Sequence, residues 1–211
     1  MLATSALLAQ EEDAEEYFKP DYGMFSAEYQ FSPLNENPLS IENLRMRYFI
    51  DYDMPLRFGV ILDFQNDKPA DDISLNAVRA GVKAGLEFHF EGTKRLSPYW
   101  GFELMFASQG YTATNDALDI EITGAAVDPL GIPDLNQVGF LEYGATLLLG
   151  FDLYLAKNFY MGAELGLSGI GRSFKDVEQT DAGTTTVLFE GGNQFRLNIN
   201  ALNLIRVGYA F

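Results

Sequence analysis

The sequence predicts an all-β fold: an eight-stranded antiparallel up-and-down transmembrane β-barrel. Three observations predict it. The last seventeen residues alternate in polarity along their whole length. Eight stretches of the chain share that alternation, each with an apolar face and a polar or charged face. The links between them are short and long in strict turn.

The C-terminal stretch is the clearest. Its odd positions read Phe195, Leu197, Ile199, Ala201, Asn203, Ile205, Val207, Tyr209, Phe211, and its even positions carry Arg196, Asn198, Asn200, Arg206 and Gly208. A period of two is the signature of a strand. A strand of that length at a chain terminus suits a barrel whose wall meets lipid.

The eight stretches are 22–31, 42–50, 56–65, 76–91, 99–113, 138–155, 159–173 and 191–211. Their apolar faces include Tyr29 and Phe31, Leu44 and Met46, Phe58 and Val60, Val78 and Val82, Trp100 and Leu104, Leu147 and Leu149, and Leu165 and Leu167. The opposite faces carry Glu28, Arg45, Arg47, Arg57, Asp63, Arg79, Lys83, Glu87, His89, Glu91, Glu103, Glu142, Asp152, Glu164, Arg172, Arg196 and Arg206. Glycines fill gaps between them, and a small barrel needs small side chains among large ones. Short links fall at 51–55, 92–98 and 156–158, and the longest links are 114–137 and 174–190. In an up-and-down barrel every second link lies at the same end. Short periplasmic turns, long external loops and periplasmic termini follow.

The chain has 211 residues and no cysteine, so one domain is expected and disulfides play no part. No apolar run is long enough for a transmembrane helix. Residues 1–10 read as a signal-peptide remnant, 11–21 as an acidic N-terminal periplasmic segment and 22–211 as the barrel. The net charge of -16 resides in the N-terminal segment and the long loops, leaving the strands neutral as a set. No cationic groove exists for nucleic acid.

Alternation alone fits a soluble barrel with an apolar cavity as well as a membrane barrel with a charged lumen. Charge balance favours the second. The charged face holds eight basic and eight acidic residues beside His89. A closed interior must pair its charges, since an unpaired buried charge is very costly. A turn centred on Lys157 places Glu142 opposite Arg172. A turn centred on Arg95 places Glu87 opposite Glu103, with Arg57 or Lys83 as their cation. Phe90, Trp100, Phe159, Tyr209 and Phe211 fall near the periplasmic rim, and Tyr29, Phe31, Phe64 and Tyr143 toward the other end. Two such belts mark bilayer interfaces.

These features resemble the small bacterial outer-membrane β-barrel proteins, the class that includes the OmpA transmembrane domain and OmpX. The resemblance covers the chain from Tyr22 and includes the ending Arg206-Val207-Gly208-Tyr209-Ala210-Phe211. It implies that Tyr209 and Phe211 belong to a barrel-insertion signal read by the barrel-assembly machinery. It implies outer-membrane lipid and lipopolysaccharide as surroundings. No OmpA-type peptidoglycan-binding domain is expected after the last strand.

No nucleotide, metal or redox motif is present, and a single histidine makes a zinc site implausible. No metal or cofactor is expected. Some barrels of the class modify lipid A with a histidine, a serine and an acid. His89 lies near the periplasmic end with no evident serine, so it reads as a lumen histidine paired with Glu91 or Glu103. The chain is not expected to be an enzyme. Eight strands leave room only for side chains, which argues for a filled lumen with a structural or surface-interaction role. The alternative is a small-solute or hydrophobic-ligand conduit of the OmpW type, for which Ile61, Leu148, Leu202 and Leu204 supply scattered apolar material. The acidic loop residues Asp116, Asp119, Glu121, Asp128 and Asp134 have no basic neighbour within 114–137. They could bridge to lipopolysaccharide or to an unknown surface or periplasmic partner through divalent cations, although their spacing is not that of an EF-hand.

Overall fold

A computed structural model describes residues 18–31, 44–128, 130–200 and 205–211. The β-branched, aromatic and alternating stretches form strands, as their pattern requires. In chain order these are β1 (Phe25–Phe31), β2 (Leu44–Asp51), β3 (Met54–Ala70), β4 (Ile73–His89), β5 (Leu96–Asn115), β6 (Ile120–Thr123), β7 (Ala125–Val127), β8 (Pro133–Val138), β9 (Phe140–Ala156), β10 (Phe159–Phe174), β11 (Val177–Asp181), β12 (Thr184–Phe189), β13 (Asn193–Asn200) and β14 (Ile205–Ala210). All pairings are antiparallel.

Eight strands form a ring at the end of the short turns. Pairing passes from β1 through β2, β3, β4, β5, β9, β10 and β14, and β14 pairs back onto β1. Reciprocal backbone bonds between Phe25 and Phe211, at 3.0 and 2.8 Å, tie the first and last strands there. Farther along, the ring is partial among the described residues. β3 runs on beyond β2, and β13 pairs with β10 on one side.

Burial settles which face is inside. Along β9, Leu147 and Leu149 are 59% and 58% exposed, while Leu148 between them is 5% exposed. The apolar faces of the other ring strands likewise look outward, through Phe58, Val82, Leu104 and Leu165. Glu28, Arg47, Arg57, Glu87, Asp152 and Arg206 look inward and are buried. A water-soluble barrel would show the reverse.

The links depart from expectation in four places. β3 and β4 run on to a two-residue turn at 71–72, so the longer link expected over 66–75 is mostly strand. The stretches 114–137 and 174–190 are more than loops. β6 folds back on β5, β11 pairs with β6, and β12 pairs with β11, so the sheet extends beyond the ring. Ile73, Leu75, Ala113, Ile122, Ala125, Ala126, Val127 and Val177 make an apolar cluster beneath it. Their spacing within short, charge-rich segments hid that cluster from periodicity. The final stretch is two strands, β13 and β14, with 201–204 outside the described residues. The β4–β5 turn is centred on Lys94 and not Arg95, since His89 faces Tyr99. Glu87 therefore lies opposite Gly101, and Glu103 opposite Gly85. A shift by two residues keeps every side chain on its face.

At the short-turn end, Phe18 packs beneath Tyr154 and Tyr160. Its carbonyl accepts the Asn158 N–H at 2.9 Å, and the Arg95 guanidinium lies 4.1 Å from its ring centre. The expected signal remnant and most of the acidic segment, residues 1–17, lie outside the described residues.

The β1–β14 seam can be tested directly because the native chain has no cysteine. Ala27 faces Tyr209, and facing residues sit about 4.5–5.5 Å apart at Cα, within disulfide reach. The double variant A27C/Y209C should oxidise to an intramolecular disulfide, and A27C/I205C, four positions off register on the same face, should not. Equal or absent cross-linking in both would refute the seam.

Candidate functional site

The ring interior holds a buried network of arginines and carboxylates drawn from every ring strand. Strand alternation aims them inward, and their pairing follows from register. Arg57 on β3 reaches Glu164 at 2.8 Å, Glu87 at 2.9 Å and Glu103 at 3.5 Å. Arg47 on β2 reaches Glu28 and Asp152, each at 2.6 Å, and Glu87 at 3.1 Å. Arg206 on β14 reaches Asp152 at 2.5 Å, Glu28 at 3.4 Å and Glu164 at 3.5 Å. Arg45 approaches Glu164 at 3.5 Å and Glu103 at 3.7 Å. Each carboxylate thus serves two or more guanidiniums. Lys83 adds its positive field at Glu103, which brings the charges of this set into balance.

Desolvating such charges costs several kcal/mol per ion, and only dense pairing offsets it. Tyrosines add further donors. Tyr99 donates to Glu164 at 2.6 Å, and Tyr160 donates to Glu28 at 2.8 Å and Ser26 at 3.0 Å. The Arg47 and Arg206 guanidiniums lie 5.5 and 5.1 Å from the Tyr99 ring centre. Glycines make these placements possible. A side chain at Gly208 would strike the Tyr160 ring, and one at Gly150 would strike Tyr99.

His89 belongs to the edge of this network, with partners other than those expected. Its Nε2 pairs with Glu87 at 3.1 Å and its Nδ1 with the Ser97 hydroxyl at 2.8 Å. Glu91 lies past the end of β4 and is exposed, and Glu103 is engaged by Arg57 and Arg45. Ser97 was hidden in the sequence because the turn centre fixes which β5 residue returns beside His89. The serine, histidine and acid do not form an accessible site. Ser97 is 3% exposed, both ring nitrogens are engaged, and Glu87 is held by two arginines.

Toward the other end Glu142 faces Arg172, as a turn at Lys157 requires, and bonds its Nε. Arg79 bonds the second oxygen of Glu142 at 3.2 Å. Asp63 and Arg196 are exposed and enter no ion pair among the described residues. Tyr99, Tyr154 and Tyr160 are the inward residues that charge counting overlooked. Their signal was parity, for each shares a strand face with a carboxylate or arginine.

Asp116, Asp119 and Glu121 border one open hollow of the outer hairpins, and Asp128 and Asp134 turn to local partners. Glu121 faces Thr180 and Thr114 in the sheet extension. Asp128 caps the Leu130 and Ile132 amides at 2.8 and 2.9 Å. Hydrogen bonds from Asn136 and Gln137 hold the Asp134 carboxyl below the usual carboxylate range. No group of three metal-ligating side chains occurs among the described residues.

Three solved structures are similar to this chain. Outer membrane protein AlkL, determined by solid-state NMR in DMPC lipid bilayers, is 14% identical, with 90% of this chain and 91% of that one covered and a TM-score of 0.42. CarO of Acinetobacter baumannii is 12% identical, with 90% and 97% covered and a TM-score of 0.35. Ail, the attachment invasion locus protein of Yersinia pestis, is 12% identical, with 89% and 94% covered and a TM-score of 0.33. No protein-family model and no curated protein sequence matches the chain.

Stability should hinge on complete pairing. Replacing Arg57 by Met takes the nearest cation from Glu87 and Glu164 and one of two from Glu103, and breaking a buried pair costs ~3–5 kcal/mol. Denaturant unfolding should show R57M losing that much, while E121Q on the exposed hairpin stays within ~0.5 kcal/mol of the parent. An R57M midpoint equal to that of E121Q would contradict the role given to the network. Gly208→Ala should also destabilise, because the Tyr160 ring must leave its notch.

Proposed function

We propose that this chain is a bacterial outer-membrane β-barrel, closed along its height, with periplasmic termini, a side-chain-filled lumen and a structural or surface-interaction role. One observation carries the reading: the ring is apolar outside and ionic inside. In water such a wall would leave a continuous apolar surface exposed, far beyond what a soluble monomer tolerates. In a bilayer the same wall is solvated by hydrocarbon and the backbone bonds are satisfied between strands.

The aromatic positions support the placement. Phe90, Trp100, Phe159, Tyr209 and Phe211 are exposed and lie near the short turns, while Tyr143 is exposed toward the other end. In this reading they form interfacial girdles, with Tyr29 and Phe31 (whose side chain lies outside the described residues) completing the outer one. Tyr209 and Phe211 act as the insertion signal for the barrel-assembly machinery. Lipid and lipopolysaccharide surround the wall. The sheet extension, with its acidic hairpins, stands at the cell surface and contacts a surface partner.

A second reading is a conduit for a small apolar ligand. A cavity of about 180 Å³ under the outer hairpins favours it, lined by Ile73, Ile122, Val127 and Leu130 on one part and by Thr114, Asn115 and Gln179 on another. An apolar cavity of roughly 150 Å³ can hold a small aromatic molecule, and this one adds polar side chains at its edge. The ionic network lies between that cavity and the short-turn end, which is why the filled-lumen reading comes first.

Fractionation should place the protein in the outer membrane, with a gel mobility that shifts on boiling. The single tryptophan supplies a sharper test. Trp100 fluorescence should be quenched by brominated lipid and spared by aqueous iodide. Quenching by iodide alone would defeat the membrane placement. In planar bilayers the filled lumen should give no steady conductance. Sustained unitary currents would favour the conduit.

A further inference from the structure

We infer that the cavity under the outer hairpins binds a small neutral molecule, a ring or short chain carrying one acceptor oxygen, such as a ketone or an alcohol. The site belongs to the second reading above, and it requires binding at the outer end without passage through the ring. Its volume is about 180 Å³, against the roughly 150 Å³ that holds a benzene-sized molecule in an apolar interior. The difference is room for a polar atom. Register explains the lining. Ile73, Asn115 and Ile120 lie opposite one another across β4, β5 and β6, so their side chains share a face. Ala113, Ile122 and Gln179 form the next row of that face. The exposed Leu118 and Leu130 mark the opening.

Two amide side chains interrupt this apolar surface. The Asn115 Oδ1 accepts the Ala117 and Leu118 amides, each at 3.2 Å. Those bonds fix the orientation of the side-chain amide and turn its Nδ2 the other way. Nδ2 lies 3.8 Å from the position of a side chain on Gly131, across the cavity wall. It has no acceptor among the described residues, and the Gln179 amide has no partner there either. A donor already held by its acceptor end loses little freedom when a ligand arrives, so an acceptor oxygen on that ligand gains a hydrogen bond at small ordering cost.

The surroundings select against charge. No charged side chain lines the cavity among the described residues. Burying an ion against such a lining without a counter-charge costs more than one amide returns. Asp116, Asp119 and Glu121 border the adjoining hollow, which shares Thr114, Asn115 and Ile120 with the cavity, and they repel an anion in particular. The ligand that fits is therefore apolar over most of its surface, uncharged, and polar at one end.

Methyl NMR of the full chain, folded in detergent, reads the site residue by residue. Cyclohexanone is the probe, a saturated ring with one acceptor oxygen and no charge. The methyl shifts of Ile73, Ile122 and Val127 should move and saturate as it is added. Leu147 and Leu165 on the outer wall meet only ketone dissolved in the micelle, so their shifts should drift without saturating. Cyclohexanecarboxylate should leave the cavity methyls in place. The variant N115D keeps the oxygen that caps Ala117 and Leu118 and loses the free donor, so it should weaken cyclohexanone about tenfold. A113L fills the cavity and should abolish saturation while keeping the heat-dependent gel shift; if that shift is lost, N115D decides. Equal drift at cavity and wall methyls overturns the site, as does unchanged affinity in N115D. Saturation by the carboxylate at the same affinity overturns the neutral assignment. Saturation by the ketone in a chain that gives no conductance in planar bilayers upholds the site and removes only the conduit.

Discussion

The ion pairs around Arg47, Arg57 and Arg206 are the interaction on which the rest of the molecule depends. These side chains are fully buried, and so are Glu28, Glu87 and Asp152 or nearly so. Charges removed from water in this way must be matched at contact distance or not be present at all. The match is built from strands far apart in the chain. Arg206 and Glu28 are separated by 178 positions, and Arg57 and Glu164 by 107. The network therefore spans the ring, and it dictates glycine at positions where an aromatic ring or a guanidinium passes close to the wall. It also leaves the apolar residues nowhere to go but outward.

The two ends of the molecule follow different rules. The short-turn end is packed shut by Phe18, Tyr154 and Tyr160 under the ionic network, with the first and last strands bonded to each other beside it. The other end spreads into hairpins over a small apolar cluster, with acidic side chains satisfied locally by backbone amides.

Much of this was legible in the residues. Equal numbers of acids and bases on one strand face pointed to internal pairing. The Glu142–Arg172 contact was anticipated from a turn centred on Lys157, a register the structure reaches through a two-residue turn and a bulge between Phe159 and Tyr160, and Arg57 was a candidate to bridge Glu87 and Glu103. The partners of His89 were not legible. A turn of uncertain centre can return different residues beside it, and a shift of two positions preserves every face while changing every neighbour. Tyr99 and Tyr160 were overlooked because a tyrosine at a charged-face position looks the same as any aromatic until its hydroxyl finds an acceptor. The strands within 114–137 and 174–190 escaped notice for another reason. Each is too short for periodicity to rise above its charged neighbours.

By itself, the sequence determined that the chain forms long antiparallel strands with one greasy and one ionic side, because a repeat of two assigns every side chain to one of two faces. Only the tertiary structure decided which arginine meets which carboxylate and how the outer segments pair into hairpins. Those outcomes depend on contacts between residues more than a hundred positions apart, and no local pattern encodes the register that brings them together.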